Sequence, residues 1–237
     1  MSDGSEDKPV ATADGFKDKL VVTWDGSKDK LVATKQAWAR AGRLLTGKPD
    51  PEQAMRLPPG QRLVTNWPVL DLGVQPHVPT ESWSLTVDGA VERPLQLDWN
   101  GFLALPQSED VSDMHCVTQW SRYDNRWEGV FTRTLLELVQ PTVLATHVIL
   151  HSHDGYTTNV RLDHFVESDC ILAHRHDGAA ITREHGGPVR VIIPRYYLWK
   201  SAKWIKRIEL SAVDKPGFWE VRGYHSIGDP WTEERYS

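Results

Sequence analysis

One cysteine stands in a stretch whose residue types suit chemistry at a sulfur atom. Cys116 follows the strand-like residues 111–114, and polar and aromatic residues follow it as far as Val130. A thiolate is both a nucleophile and a soft metal ligand, so a thiol fixed at a strand end is placed to react or to hold a metal. The competing interpretation is a small buried apolar residue, as free cysteines often are. The flanking residues favour the chemical interpretation.

Bulk composition limits the classes of protein to which this stretch can belong. The 237 residues are 40% hydrophobic and 25% charged, which is typical of a soluble globular protein. A net charge of -5 gives no nucleic-acid-binding signature, and no apolar run is long enough to span a membrane. Two cysteines, Cys116 and Cys170, are too few for a four-cysteine iron–sulfur cluster. Any electron carrier is therefore expected to be a separate protein.

Many short strands and a few short helices are predicted to position the cysteine. Alternating or buried apolar runs predict strands at 82–91, 147–151, 170–173, 189–193 and 204–210. Asp98 is predicted to cap a helix at 99–105, Thr132 to cap the next, and a third is predicted at 162–166. A polar and aromatic turn is expected between Cys116 and the helix near Thr132. This pattern predicts an α+β fold with mixed sheets.

The N-terminal quarter has a different character. Residues 1–13 are charged and predicted to be disordered, and the segment 14–23 is duplicated at 25–34. The second copy runs into a predicted amphipathic helix at 28–45, and a linker rich in proline and glycine follows. Met1 to Pro9 carries neither an apolar signal segment nor a twin-arginine signal, so a cytoplasmic location is expected.

Four ordered stretches resemble a known family, the sulfite-oxidase-like molybdopterin oxidoreductases. They are 116–118 with 127–130, then His153–Asn159, then Glu184–Arg190, and then Trp199–Trp204. The resemblance covers most of the chain from about Pro59 to Tyr236, and four motifs in order are far more specific than one. It implies an N-terminal segment at 1–58 and a molybdopterin-binding catalytic domain of the sulfite-oxidase type at 59–237.

The resemblance also implies roles for individual residues. Cys116 is expected to bind molybdenum beside the two sulfurs of a pterin dithiolene, and Tyr156 to lie near the pterin or the substrate. The remaining cofactor-binding residues that it implies are Asn66, Trp67, His115, Thr118, Asp154, His185, Arg190, Ser201 and Lys203. The metal chemistry belongs to the cofactor, and the protein holds and tunes it. Whether the pterin carries an added nucleotide is left open.

Elementary chemistry agrees with three of these assignments. Asp154 can accept hydrogen bonds from pterin N–H groups, Arg190 can grip a phosphate with its forked guanidinium, and Lys203 can add a point charge. Each residue also has an ordinary interpretation. Asp154 is a usual residue before the turn at Gly155, Arg190 is an available partner for Glu184, and lysines are mostly solvated.

The positions after the cysteine depart from the sulfite oxidases proper, which carry arginines there. This chain has Gln119, Trp120 and Ser121, with Arg122 and Arg126 out of register. A tryptophan-rich mouth suits a dianion less well than an arginine cluster does. No segment of this sequence resembles the family's immunoglobulin-like or haem domains, so we expect a similarity to the short prokaryotic members, some of which reduce sulfoxides. The expected function is two-electron oxo transfer on a small sulfur-containing or similar oxo substrate, in a direction left open.

Two alternatives come from other classes of protein. A zinc-dependent hydrolase is one, because His151 and His153, like His174 and His176, are two residues apart and share a face if each pair lies on a strand. No His-Glu-x-x-His motif supports it. The other alternative is a protein that binds molybdopterin without turnover.

Overall fold

Two mixed β-sheets joined by short helices form the described part of the protein. The computed structural model describes residues 55–237, together with residues 32–34 and 37. Those four residues are helical, whereas the rest of the helix predicted at 28–45 and the first copy of the duplicated segment lie outside the described residues. Across the described ranges, no helix has the length and apolarity needed to cross a membrane.

The elements are numbered along the chain. The strands are β1 (Arg62–Leu63), β2 (Ser84–Gly89), β3 (Leu95–Asp98), β4 (Ser108–Cys116), β5 (Trp120–Phe131), β6 (His147–Ser152), β7 (Thr157–Arg161), β8 (Ile171–His176), β9 (Ala179–Ala180), β10 (Arg190–Ile192) and β11 (Ile205–Ser211). The helices are α1 (Trp99–Ala104), α2 (Thr132–Val139) and α3 (Leu162–Phe165), and 3-10 turns lie at Arg183–His185, Leu198–Lys200 and Glu220–Arg222.

The two sheets differ in what they contribute. In the six-stranded sheet, β5 pairs with β1, β4 and β8, and β8 continues to β9 and β10. The five-stranded sheet has the order β3-β2-β11-β6-β7. The pairs β1–β5 and β2–β11 are parallel and the other pairs are antiparallel. The predicted α+β class with mixed sheets is confirmed.

Branched apolar residues explain why the central strands form. Val148, Ile149 and Leu150 in β6 are at most 3% exposed, and so are Ile208 and Leu210 in β11. Such residues favour the pleated surface and bury well on both faces of a covered sheet. The predicted cap of α1 is confirmed, because Asp98 Oδ1 accepts a hydrogen bond from the backbone N–H of Gly101 at 2.7 Å.

The turn expected after Cys116 is much shorter than predicted. It ends at Gln119, and residues 120–131 form β5, a twelve-residue strand. Its buried residues include the polar Ser121 and Asn125, so the sequence does not show the alternation of apolar and polar residues that is typical of a strand. The strand predicted at 82–91 is shorter in the structure, where β2 ends at Gly89 and residues 90–94 turn the chain back into its antiparallel partner β3.

The prediction that Thr132 caps α2 is wrong. Phe131 occupies the cap position, and it makes no side-chain capping bond. Thr132 is the first helical residue and its hydroxyl instead donates to the carbonyl oxygen of Phe165. This bond ties α2 to the end of α3, so a tertiary contact uses the hydroxyl that the local pattern assigned to the cap.

Candidate active site

A cavity opens where the ends of strands from both sheets meet. Its volume is about 900 Å³, including the space open to solvent at its mouth. Ligand sites in proteins usually combine apolar walls with a few polar groups, as this cavity does. Eight residues predicted from the sequence line it, namely Trp67, Cys116, Thr118, Asp154, Tyr156, Arg190, Ser201 and Lys203.

Cys116 is the last residue of β4 and lies in the wall of this cavity. Its side chain is 5% exposed and packs in an apolar cluster with Trp120 and Trp199. Trp120 is its direct cross-strand partner in β5, so the two side chains share one face of the sheet. The hydroxyl of Thr118 donates to Cys116 Sγ at 3.1 Å. A donor at this distance favours the thiolate, which is the form that binds a soft metal.

Arg190 is a buried cation in the same wall. It begins β10, is 2% exposed, and donates to the carbonyl oxygens of His185 at 2.7 Å and Ser201 at 3.0 Å. Its Nε is buried without a hydrogen-bond partner, and no carboxylate of the described chain forms an ion pair with it. Burial lowers the pKa of Arg190 to about 9. An uncompensated buried cation is costly and attracts an anionic ligand.

Ser201 and Lys203 lie in the connection between β10 and β11. The Ser201 hydroxyl accepts from the backbone N–H of Ile193 at 3.0 Å, and Lys203 Nζ donates to the carbonyl oxygens of Leu70 at 2.8 Å and Glu184 at 2.7 Å. Gly186 lets the preceding loop lie against Lys203, since its φ is +104° and a Cβ there would be 2.7 Å from Lys203 Cβ. The contacts of Lys203 therefore join this connection to the segments that carry Leu70, Glu184 and Gly186.

The turn after β6 contributes a carboxylate and a phenol. Asp154 Oδ1 accepts from the backbone N–H of Tyr156 at 3.0 Å, which fixes the turn. The Tyr156 hydroxyl donates to the carbonyl oxygen of Trp199, and burial raises the pKa of Tyr156 well above its ordinary value. Tyr156 therefore stays a neutral phenol and contributes its ring to the wall, while its proton is held by the backbone.

Trp67 brings two histidines close to the cavity without placing them in its wall. The ring of His185 stacks on Trp67 with centroids 3.8 Å apart, and the ring of His176 lies 4.5 Å from Trp67. Burial is the main cause that lowers the pKa of each histidine to about 4, and Arg122 and Arg190 lower both further. Both rings are thus neutral near pH 7.

These two histidines predict a pH dependence of stability. Their folded pKa of about 4 lies below the value of about 6.5 for an unfolded chain, so the unfolded state binds more protons between these values. We expect the contribution of these two histidines to the free energy of unfolding to be complete above pH 6.5. It should fall as the pH drops toward 4, by up to about 1.4 kcal/mol per pH unit for each histidine.

Urea unfolding at several pH values between 7.5 and 4.5 measures this dependence. The variant His176→Gln should show a shallower fall than the unsubstituted protein. His147→Gln is the control, since His147 lies away from the cavity with its side chain 24% exposed. A pH slope that is identical in His176→Gln and the unsubstituted protein would contradict the assignment.

Asn66 and His115 were also predicted to bind the cofactor, but neither lines the cavity. Asn66 is exposed on the segment before Trp67. His115 precedes Cys116 on the same strand, where successive side chains point to opposite faces. Its Nδ1 lies 2.8 Å from Ser121 Oγ, on the far side of the sheet from the thiol. His185 stands behind Trp67, so the structure gives it an indirect relation to the cavity.

The histidine pairs of the zinc alternative do not assemble a ligand set. His151 lies in the five-stranded sheet, with its Nε2 3.0 Å from Glu209 Oε2. His174 and His176 lie in the other sheet, where His174 packs against Trp99 and Phe102. Within the described residues, no group of three or more His, Cys, Asp or Glu side chains is arranged to hold a metal ion.

Sequence reasoning missed several residues of the wall. Ser152 ends β6, and its buried hydroxyl has no hydrogen-bond partner. The aromatic residues Trp120, Trp199, Trp219 and Tyr224 also line the cavity. Trp199 stands inside a recognised motif and Trp120 in the stretch that follows Cys116. Trp219 and Tyr224 belong to the aromatic C-terminal segment 217–225, whose sequence predicts a loop cover but not which of its residues reach the cavity.

Comparison with known proteins identifies the family. The model of the oxidoreductase molybdopterin-binding domain matches residues 72–219. The chain is 42% identical over 187 residues to the uncharacterized oxidoreductase YuiH of Bacillus subtilis, covering 78% of this chain and 94% of YuiH. It therefore belongs to the oxidoreductase molybdopterin-binding family and is an oxidoreductase, as the sequence motifs predicted.

Two more distant proteins are similar over part of their length. The catalytic subunit MsrP of a protein-methionine-sulfoxide reductase from Gluconobacter oxydans is 30% identical over 155 residues, which cover 58% of this chain and about half, 49%, of MsrP. The solved structure of the sulfane dehydrogenase SoxCD from Paracoccus pantotrophus superposes with a TM-score of 0.54 at 18% identity, covering 59% of this chain and 40% of that one. The latter similarity supports the sulfite-oxidase-type fold.

The cavity fits the molybdopterin cofactor that this family implies. Cys116 offers a soft sulfur in the wall, and Arg190 presents a buried cation with an unpartnered Nε. A dithiolene-bound metal needs the first, and the phosphate of a pterin arm satisfies the second. The individual binding roles of the predicted residues stay predictions.

Proposed function

We propose that this oxidoreductase removes the oxygen atom from small, uncharged sulfoxides at a molybdenum centre bound by Cys116. The observation that carries the proposal is the composition of the wall around the thiol. This part of the wall is apolar and aromatic, and the two arginines that closely follow Cys116 in the sequence, Arg122 and Arg126, do not line the cavity. When bound, the cofactor would supply the two-electron oxygen-atom transfer.

Different residues of the cavity would bind different parts of the cofactor. Cys116 would bind the metal as a thiolate, which the Thr118 hydroxyl stabilises at 3.1 Å. Arg190, with Lys203 and Ser201 near it, would grip the phosphate of the pterin arm. The Asp154 carboxylate would accept hydrogen bonds from N–H groups of the pterin ring.

Two arginines close to the strands β4 and β5 are engaged elsewhere. Arg122 forms an ion pair with Asp177 at 2.8 Å and also contacts Asn125, and Arg56 pairs with Asp113 at 2.6 Å. These bonds hold both guanidiniums away from the cavity, whose wall at this point consists of Val117, Thr118 and Trp120. Such a wall favours a neutral, partly apolar substrate over a dianion such as sulfite.

The relatives support the same direction of reaction. MsrP is described as the catalytic subunit of a protein-methionine-sulfoxide reductase. In the proposed reaction, a sulfoxide takes up two electrons and two protons, its S–O bond breaks, and a thioether and water leave. A separate carrier protein supplies the electrons, since two cysteines exclude a four-cysteine cluster in this chain.

The test begins with the purified, molybdenum-loaded protein. We expect about one molybdenum per chain and a pterin released by denaturation. Reduced enzyme mixed with dimethyl sulfoxide in a stopped-flow instrument should be reoxidised, whereas oxidised enzyme mixed with sulfite should show little reduction. Reduction by sulfite without reoxidation by sulfoxides would reverse the proposed direction. Zinc in place of molybdenum and pterin would refute the cofactor assignment.

Two statements from the sequence stay predictions. The cytoplasmic location rests on the residues at the N-terminus alone. The nucleotide form of the pterin can be read from the mass of the released cofactor.

A further inference from the structure

A buried carboxylate behind the aromatic wall collects three hydrogen bonds on one oxygen. Glu220 Oε1 accepts from Thr158 Oγ1 at 2.9 Å, from Trp199 Nε1 at 3.1 Å and from Lys200 Nζ at 2.5 Å. The side chains of Glu220 and Lys200 are 3% and 1% exposed. An ion pair this deeply buried gains little net stability, so stability alone does not explain its presence.

Lys200 fixes the position of Glu220. Besides its bond to Glu220, Nζ donates to the backbone oxygen of Asn159 at 2.9 Å and to Asn159 Oδ1 at 3.0 Å. All three protons of the ammonium group are therefore used. Thr158 and Asn159 belong to β7, so the carboxylate is tied to a strand of the five-stranded sheet.

Trp199, the residue before Lys200, connects the Glu220–Lys200 pair, here called the anchor, to the cavity, because it donates to Glu220 and also lines the cavity. The 3-10 turn Leu198–Lys200 places Trp199 in the cavity wall, while Lys200 lies in a separate pocket behind it. The Trp199 ring stacks on Tyr197 at 5.3 Å, and a Cβ at Gly228 would be 2.6 Å from its Cζ2. The indole is thus held by the hydrogen bond of its N–H and by packing against Tyr197 and Gly228.

The same anchor holds a second residue of the wall. The Tyr156 hydroxyl donates to the carbonyl oxygen of Trp199, and Tyr156 also lines the cavity. Trp199 shares an apolar cluster with Cys116, so a shift of its indole changes the space beside the thiol. The hydrogen bond from the Trp199 indole to Glu220 is therefore one of the contacts that set the position of the wall, and it is the one that fixes the indole N–H.

We propose that Glu220, held by Lys200, is a positioning residue that fixes Trp199 and thereby sets which sulfoxides fit beside Cys116. This inference rests on the proposed function for the identity of the substrate. In this proposal, the selectivity among sulfoxides depends on the hydrogen-bond acceptor that Glu220 provides and not on its charge.

Two neutral double variants isolate the acceptor. Lys200→Met with Glu220→Gln removes both charges and keeps an acceptor oxygen, whereas Lys200→Met with Glu220→Leu removes the charges and the acceptor. Neutral replacement of both partners avoids the unpaired buried charge that a single substitution would leave. Lys215→Gln, at an exposed lysine paired with Glu209, is the control.

The readouts are substrate selectivity and the exchange of one proton. In the Leu variant, the ratio of kcat/KM for dimethyl sulfoxide to that for methyl phenyl sulfoxide should change by about tenfold or more. The Trp199 indole N–H, assigned by its loss in Trp199→Phe, should exchange with solvent at least about tenfold faster. The Gln variant and the control should match the unsubstituted protein in both.

Each outcome decides the inference. A selectivity ratio that stays within about twofold in the Leu variant overturns it, even where the N–H exchange changes. An unchanged exchange rate overturns the role of Glu220 as the anchor. If the unsubstituted enzyme reduces no sulfoxide, the proposed function fails, and the exchange measurement, which needs no substrate, still tests the anchor separately.

Discussion

Replacing Cys116 by serine should abolish turnover and leave the fold intact. A serine fills nearly the same volume in the apolar cluster, but its hydroxyl is a poor ligand for a soft site. We expect the molybdenum-dependent rate to fall by more than about a thousandfold, equivalent to about 4 kcal/mol. Steady-state kinetics, molybdenum content and the visible spectrum of the loaded protein measure the effect.

The second cysteine supplies a matched control. Cys170 is also free and buried, but its Sγ donates to the carbonyl oxygen of His164 at 3.3 Å, outside the cavity. Burial raises the pKa of the Cys170 thiol, so it stays protonated. Cys170→Ser should retain turnover and the visible spectrum. If Cys116→Ser kept both as well, the thiolate would have no part in the site.

Replacing Arg190 by methionine should weaken the binding of phosphate and of the cofactor while changing the stability of the cofactor-free protein little. The cofactor-free protein loses two hydrogen bonds to backbone oxygens but is relieved of a desolvated cation, and these effects oppose each other. Its unfolding temperature should therefore change little. The affinity for phosphate should fall by about tenfold to a hundredfold, because a charge-assisted forked contact is lost.

Thermal unfolding of cofactor-free protein in rising concentrations of inorganic phosphate measures the affinity. Pterin and molybdenum contents after dialysis of the loaded protein measure retention. Arg161→Met is the control, because that arginine pairs with Asp163 on the surface with its side chain 55% exposed. Equal stabilisation by phosphate and full retention in Arg190→Met would remove Arg190 from the phosphate site.

The sequence predicted elements where apolar residues dominate and failed where polar residues are buried. Strand β6 could be predicted from the sequence because its residues Val148 to Leu150 are apolar, branched and buried. The sequence predicted a turn in place of β5 because the polar residues Ser121 and Asn125 are buried in it. Their polar groups are satisfied by contacts that only the fold provides, Ser121 with His115 and Asn125 Nδ2 with the carbonyl oxygen of Ser112.

The site was predictable as far as its motifs carried information. Cys116, Asp154 and Arg190 stand in motifs with a definite order, and all three line the cavity. Sequence proximity misled at His115, because adjacent residues on a strand face opposite ways. Tyr224 lies in the aromatic segment 217–225, whose composition predicts a loop cover, but it stands in none of the four motifs and reaches the cavity only through the packing of the C-terminal loops.

The cavity draws its wall from both sheets, and this has a consequence for biogenesis. Cys116 ends a strand of one sheet, Ser152 ends a strand of the other, and Lys203 lies on the segment that connects them. A cofactor that touches all three can be inserted only after the sheets have docked. Its binding energy then opposes their separation, because a ligand stabilises the one state that it recognises. We therefore expect the loaded chain to resist unfolding more strongly than the cofactor-free chain.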